Sequence, residues 1–239
     1  IVLHRIWIFT TDYLTHLDAG VYLPRYQERL LYLGTHVFNP NNLEGTIDFG
    51  LPSQLWVFIH GLLGFLKIYY PYSFKFVYVF PVLFLAPLLI FYYLKKIFSF
   101  HHGAILLFLV LYFFNSYILI LKTGHLLLLG AYSFACPLLF SFIDLLNSRN
   151  LKNVVITVIL SFIVGSYDFR IFYIYGFVIL LYFIYFILFE CGDFKVVSSY
   201  IPWLLLYLLF LILINVFWIL PFLSAKTLIS NSIFERPLF

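Results

Sequence analysis

Long apolar runs separated by short polar connections dominate the chain from Leu51 onward. Several of these runs reach the roughly 18 to 20 residues that an α-helix needs to cross a bilayer. The pattern predicts an all-α, polytopic transmembrane helical bundle. We expect spans over Phe74 to Leu94, Gly103 to Leu121, His125 to Leu146, Val154 to Ser166 with its flanks, Ile171 to Phe189, and Ser199 to Leu223.

The run from Leu51 to Leu66 is apolar but shorter than a full span. It either crosses the bilayer as a short helix or dips into one leaflet, so residues 51–223 predict a bundle of about six to seven helices. If it does not cross, alternate connections face the same side as the polar stretch before it. His125 and Asp168 then gather near that stretch, and we favour this arrangement.

The polar stretch at residues 10–50 holds half of the acidic residues of the chain: Asp12, Asp18, Glu28, Glu44 and Asp48. Within it, Tyr22, Tyr26, Leu30 and Leu33 recur at helical spacing, while charged side chains cluster away from them. This pattern is typical of an amphipathic helix that lies in the membrane interface. We therefore expect a long first external loop that carries such a helix.

The two ends of the sequence differ from this body. Residues 1–9 are apolar and look like the exit end of a truncated first transmembrane helix, whereas residues 224–239 turn polar and look like the start of a further external region. No methionine occurs, not even at position 1. Together these features predict that the sequence is a piece of a longer protein.

Composition supports a membrane protein and excludes some function classes. Hydrophobic residues make up 64% and charged residues 10%, with a mean hydropathy of +1.04, whereas soluble domains are about a quarter charged. The net charge of +4 comes without a basic run that carries exposed aromatics, so nucleic-acid binding is not expected. The two cysteines form no CxxC or disulfide framework. The Lys and Arg residues divide almost evenly between the two faces and do not decide the orientation.

Asp12 and Asp18 are the first candidates for chemistry, because they follow a predicted helix end at the membrane surface with His16 between them. A partly buried carboxylate there can act as a general base, or carboxylates can bind a divalent cation through their oxygens. The alternative is a solvated loop in which Asp18 caps the next helix. The residue types leave these readings open.

Several basic and polar residues at span ends are candidates for binding a phosphate group. Arginine matches phosphate oxygens with two parallel hydrogen bonds, and lysine acts as a point charge. The alternative is that these residues anchor helix ends at headgroup level, and that Asp168 and Arg170 neutralise each other in a tight turn. The candidates are Arg25, Arg29, Lys122, His125, Asp168 and Arg170, with Lys226 as a further basic residue.

The run TTDYLTHLDAGVYLPRYQERLLYLGTHVFNPNNLEG resembles the first external loop of multi-spanning C-type (GT-C) glycosyltransferases, notably archaeal members and arabinofuranosyltransferase-like proteins. The matching features are two acids after the first helix (Asp12, Asp18), an amphipathic helix (Val21 to Gly34), an Asn39-Pro40 turn and Gly45. Gly124-His125 and the NVFWILP run at residues 215–221 are also similar to that family. The chain departs from the family at Thr11 and His16, where a glycine and a proline are usual.

The resemblance implies an inverting transferase of a prokaryotic, archaeal plasma membrane. Such an enzyme takes a sugar from a polyprenyl-phosphate-linked donor and passes it to a glycan, lipid or protein acceptor on the external face. Asp12 matches the general base best and Asp18 is the second candidate, while interfacial bases would hold the lipid phosphate. Whether a divalent cation takes part stays open. Two alternatives remain, a transporter or flippase for a lipid-linked or small polar substrate and a non-catalytic membrane subunit.

Overall fold

The computed structural model describes residues 54–121, 125–191 and 197–235. Every regular element in these ranges is helical and none is a strand, which confirms the all-α prediction for the described part of the chain. The expected truncated first helix and the amphipathic loop helix lie outside these residues. The described helices are α1 (Gln54–Phe65), α2 (Pro71–Phe98), α3 (His102–Phe113), α4 (Ser116–Leu121), α5 (Leu126–Ser148), α6 (Leu151–Tyr167), α7 (Phe169–Cys191) and α8 (Ile201–Glu235).

Four of these helices are long and apolar enough to cross a membrane, namely α2, α5, α7 and the part of α8 at Ile201–Leu220. Apolar helices α1, α3 and α6 are shorter. The 12 residues of α1 extend about 18 Å, well short of the ~30 Å hydrocarbon core. The described helices therefore fit a membrane protein, as the hydropathy pattern predicted.

The predicted span Gly103 to Leu121 is interrupted in the structure. It divides into α3 and α4 around Asn115, whose side-chain oxygen accepts from the Ile118 N–H at 2.9 Å. Its amide nitrogen donates to the Tyr112 carbonyl at 2.8 Å. Asparagine competes with the backbone for such hydrogen bonds and so favours helix starts over helix interiors. One side chain thereby ends α3 and caps α4.

Helix α5 forms the centre of the described bundle. Of the 18 most apolar consecutive residues of α5, 78% are buried, compared with 11% in α7 and 6% at the start of α8. Its neighbours include α2, α6 and α7, and the most extensive of these contacts is with α6. The surfaces of α7 and α8 that face away from the bundle expose leucine, isoleucine and phenylalanine, as expected of helices in contact with lipid.

Tyr167, the last residue of α6, connects four helices. Its ring stacks on Trp56 of α1 at a centroid distance of 4.1 Å and lies 6.1 Å from the ring of Phe134 on α5. It also covers Gly130, where an added Cβ would come within 2.6 Å of the tyrosine ring. Its hydroxyl donates to the Val77 carbonyl of α2 at 2.5 Å. A glycine on α5 is required for this close approach.

The Val77 carbonyl lies in an irregular part of α2. The helix continues through Pro81 and Pro87, but its residues Lys75–Val79 and Pro81–Leu85 are π-helical. Proline has no N–H, and in an α-helix the N–H at position 81 would donate to the carbonyl of Val77. The Tyr167 hydroxyl donates to this carbonyl instead, and a neighbouring side chain is a usual partner for backbone groups freed by proline inside membranes.

We expect Tyr167→Phe to lower the free energy of unfolding by about 0.5 to 2 kcal/mol, because it removes one buried hydrogen bond and keeps the stacked ring. Unfolding in mixed detergent micelles, followed by circular dichroism, measures the change. The matched control is Tyr173→Phe, since Tyr173 is 75% exposed on α7. Equal stability losses in the two variants would contradict the role given to the Val77 bond.

Candidate functional site

The described helices begin and end at two opposite ends of the bundle. At one end, here called the Asp168 end, α2 begins, α6 ends and α7 begins, and Tyr167 joins them. At the other, the Asp144 end, α2 and α5 end and α6 begins. There Lys96 pairs with Asp144, and the Asn153 side chain donates to the Asp144 carbonyl at 3.2 Å.

Asp168 and Arg170 form one compact unit between α6 and α7. The Asp168 carboxylate caps α7 by accepting from the Arg170 N–H at 2.8 Å. The same carboxylate accepts from Arg170 Nε at 3.1 Å and from a terminal nitrogen of that guanidinium at 2.7 Å. The expected mutual neutralisation in a tight turn is therefore present, and the Arg170 side chain is still 79% exposed.

His125 lies at the same end as Asp168. It precedes α5 as an exposed residue and makes no side-chain capping bond to that helix. Gly130, in the first turns of α5, packs under Tyr167, the residue next to Asp168. The structure thus brings three of the predicted phosphate-site candidates, His125, Asp168 and Arg170, to one end of the bundle.

Apart from Lys226, a residue of α8, the remaining sequence candidates lie outside the described residues. Asp12 and Asp18, expected to carry the chemistry, belong to the first 53 residues, as do Arg25 and Arg29, and Lys122 falls between residues 121 and 125. Their roles remain predictions. Of the proposed site, the described structure therefore bears on His125, Asp168 and Arg170.

The Asp168 end also contains a buried polar pair that the sequence did not single out as functional. His60 of α1 is only 1% exposed, and its Nδ1 lies 3.0 Å from Ser73 Oγ near the start of α2. Four residues before it, Trp56 Nε1 donates to the Ser166 carbonyl at 2.8 Å. These two contacts place α1 against the Asp168 end. In the sequence, His60 stands out as a histidine inside an apolar run, but the sequence does not indicate that its partner is Ser73.

An apolar groove, the Trp56 groove, begins beside these residues. Its walls include Trp56, Tyr167 and Phe134, and Phe80, Phe84 and Leu88 continue it along α2. The last three recur every four residues and so extend over about 12 Å of helix. The groove encloses about 490 Å³, within the range of small-molecule sites, and its lining is almost entirely apolar.

A second feature missed from the sequence lies at the Asp144 end. Asp144 is buried on α5, and its carboxylate accepts from Lys96 of α2 and, at 3.2 Å, from Ser148 Oγ. The Lys96 ammonium also lies 5.8 Å from the centre of the Tyr92 ring. In the sequence, Asp144 stands out as a single acid in an apolar helix. Its pairing with Lys96 depends on the packing of α2 against α5, which the sequence pattern does not show.

Metal binding finds no support among the described residues, which contain no group of three His, Cys, Asp or Glu side chains placed to hold an ion. Asp12 and Asp18 are not among those residues. Comparison of the chain with protein-family models, curated proteins and solved structures finds no match in any of the three.

Two substitutions separate the capping role of Asp168 from its charge. We expect Asp168→Ala to lower the free energy of unfolding by about 1 kcal/mol because α7 loses its N-cap. Asp168→Asn should lose less than the alanine variant, since asparagine also caps helices and the arginine of the ion pair is 79% exposed. Thermal unfolding in detergent compares them, and a larger loss in the Asn variant would contradict this assignment.

Proposed function

We propose that this protein is a multi-pass membrane glycosyltransferase. It transfers a sugar from a polyprenyl-phosphate-linked donor to an acceptor on the external face, with Asp12 as the general base and Asp18 as the second candidate. The reaction inverts the anomeric centre: the acceptor hydroxyl loses its proton to the carboxylate, attacks the anomeric carbon, and the lipid phosphate leaves.

The observation that carries the proposal is the position of the Trp56 groove. Its apolar walls suit a hydrocarbon chain, and it extends along α2 from the Asp168 end toward the middle of the helix. Tyr167, which lines the groove, is followed three residues later by Arg170, whose guanidinium is exposed. An isoprenoid chain in the groove would thus have its phosphate at the end of the bundle where the exposed Arg170 guanidinium lies.

The polar groups at the Asp168 end fit the charge of such a donor. Arginine binds phosphate with paired hydrogen bonds, and Asp168 holds the Arg170 guanidinium through two contacts, which orients it. His125 is a further exposed group at this end. Arg25, Arg29 and Lys122 are proposed on sequence grounds as additional phosphate contacts. The loop resemblance supports the role of the two aspartates.

The first test of this function replaces the proposed base. In membranes containing the full chain, we expect Asp12→Asn to lower the rate of sugar transfer from a polyprenyl-phosphate donor by about 10²- to 10⁴-fold, the usual contribution of a general base. Asp18→Asn is assayed beside it as the second candidate. Asp48→Asn, a change of the same kind in the same stretch, is the control and should leave transfer unchanged. Full activity in both the Asp12 and Asp18 variants would sink the mechanism.

The second test concerns the donor chain. Leu88 lines the Trp56 groove and is 64% exposed, so Leu88→Trp adds bulk where the hydrocarbon would lie. We expect it to raise KM for a long polyprenyl donor about tenfold, equivalent to losing contact with about two CH₂ groups. The KM of a donor with a single isoprene unit should stay unchanged, because that unit does not reach Leu88.

The control for this second test is Leu106→Trp on α3. Leu106 is 63% exposed and does not line the groove. If both tryptophan variants change KM equally, or if the short donor is affected as strongly as the long one, the Trp56 groove is not the site of the donor chain.

A further inference from the structure

A second apolar groove, the Gly176 groove, separates the outer helices α7 and α8. Leu138 and Phe142 of α5 line it between Gly176 and Phe183 of α7 and, on the facing side, Leu204 and Tyr207 of α8. It encloses about 360 Å³. The hydroxyl of Tyr207 lies 2.9 Å from Ser161 Oγ on α6 and is thereby satisfied, so the one polar side chain of the lining has its partner outside the groove.

Gly176 leaves space in the wall of this groove. A Cβ atom added there would meet no other atom within 4 Å, in contrast to Gly130, where the Tyr167 ring fills the space. Glycine at position 176 is therefore not required for a close helix contact among the described residues. It keeps the groove open on the α7 side.

A cation lies where the groove reaches the Asp144 end. The Leu204 N–H bonds to the Tyr200 carbonyl one turn earlier on the chain, and the Tyr200 ring lies 4.9 Å from the Arg149 guanidinium carbon. On the α7 side, Phe186, one turn beyond Phe183, contacts the same Tyr200 ring at 5.2 Å. Residues one turn beyond each wall of the groove therefore meet at the Tyr200 ring, which Arg149 also contacts.

Arg149 is held in place but not neutralised within the described residues. One guanidinium nitrogen donates to Ser199 Oγ at 2.9 Å, and no carboxylate of the described chain pairs with it. Its backbone has φ 43° at the end of α5, a left-handed conformation in which glycine or asparagine is usual. Arg149 thus forms the C-cap of α5, with its N–H bonded to the Leu145 carbonyl, and its side chain stays exposed, where a ligand can reach the guanidinium.

We infer that the Gly176 groove and Arg149 together bind one phospholipid with an anionic headgroup. One acyl chain lies in the groove between α7 and α8, and the headgroup phosphate contacts the Arg149 guanidinium. Phe142 precedes Arg149 by seven residues, or about 10 Å along α5, so the chain and the headgroup fall at successive depths of one leaflet. Basic pockets between membrane helices are known to select anionic headgroups in this way.

This site is separate from the proposed transfer reaction, because it opens at the Asp144 end and uses none of the residues assigned to the donor. Evidence for or against this lipid site is therefore independent of the glycosyltransferase proposal. It also implies that the Asp144 end faces the leaflet richer in anionic lipid, which in cells is the cytoplasmic one.

The test uses the full chain in lipid nanodiscs that contain phosphatidylcholine and phosphatidylglycerol, with bound lipids counted by native mass spectrometry. We expect the parent to retain phosphatidylglycerol preferentially. Arg149→Gln should lower that preference about fivefold, the effect of about 1 kcal/mol per basic residue at a charged surface. Lys152→Gln, another exposed base at the same end, is the control and should change it less than twofold.

The groove is tested by filling it. Gly176→Phe should lower retention of both lipids, whereas Gly176→Ala should leave it unchanged because the added methyl group meets nothing. Leu208→Trp fills the groove from α8 and replaces the phenylalanine variant if that one does not keep its helical circular dichroism. Equal effects of Arg149→Gln and Lys152→Gln, or full lipid retention in the filled variants, would overturn the inference.

Discussion

The hydrogen bond from the Tyr167 hydroxyl to the Val77 carbonyl is the contact on which the Asp168 end depends. It joins the last residue of α6 to the irregular part of α2, where Pro81 removes a donor from the helix. The ring that carries the hydroxyl is held between Trp56 and the bare backbone of Gly130. Because Asp168 and Arg170 come directly after Tyr167, whatever positions the tyrosine also positions the ion pair and one wall of the Trp56 groove.

Charge is arranged differently at the two ends of the bundle. The Asp168–Arg170 pair is local and exposed on its arginine side, so it contributes little to stability and leaves the cation accessible. The Lys96–Asp144 pair instead joins two helices around a buried carboxylate. Breaking such a pair by removing one partner leaves an uncompensated charge, so it acts mainly as a constraint on how α2 and α5 pack. The Asp168–Arg170 pair therefore leaves a guanidinium exposed, whereas the Lys96–Asp144 pair fixes helix positions.

Each end of the bundle also has one groove and one exposed arginine. Tyr167, which lines the Trp56 groove, lies three residues before Arg170, and Leu204, which lines the Gly176 groove, lies one turn after Tyr200, whose ring contacts Arg149. Each combines an apolar lining with one exposed arginine toward one end of the bundle, and this combination supports the proposal of a phosphate-bearing lipid for each groove. If both proposals hold, the donor and the structural lipid bind toward opposite ends of the bundle.

The hydrophobic pattern alone determined that the described chain is all-α and where α2, α5, α7 and α8 lie, because membrane spans depend on local length and apolarity. It placed Asp168 and Arg170 in one turn, since their pairing is local. It did not predict the break at Asn115, where hydrogen bonds of one side chain interrupt an otherwise apolar helix. It also did not predict the partners of His60, Asp144 and Arg149. Those partners are 13, 48 and 50 residues away along the chain. Only helix packing brings such residues together. Packing depends on close approaches, such as that of Tyr167 to Gly130, which cannot be predicted from the spacing of apolar residues.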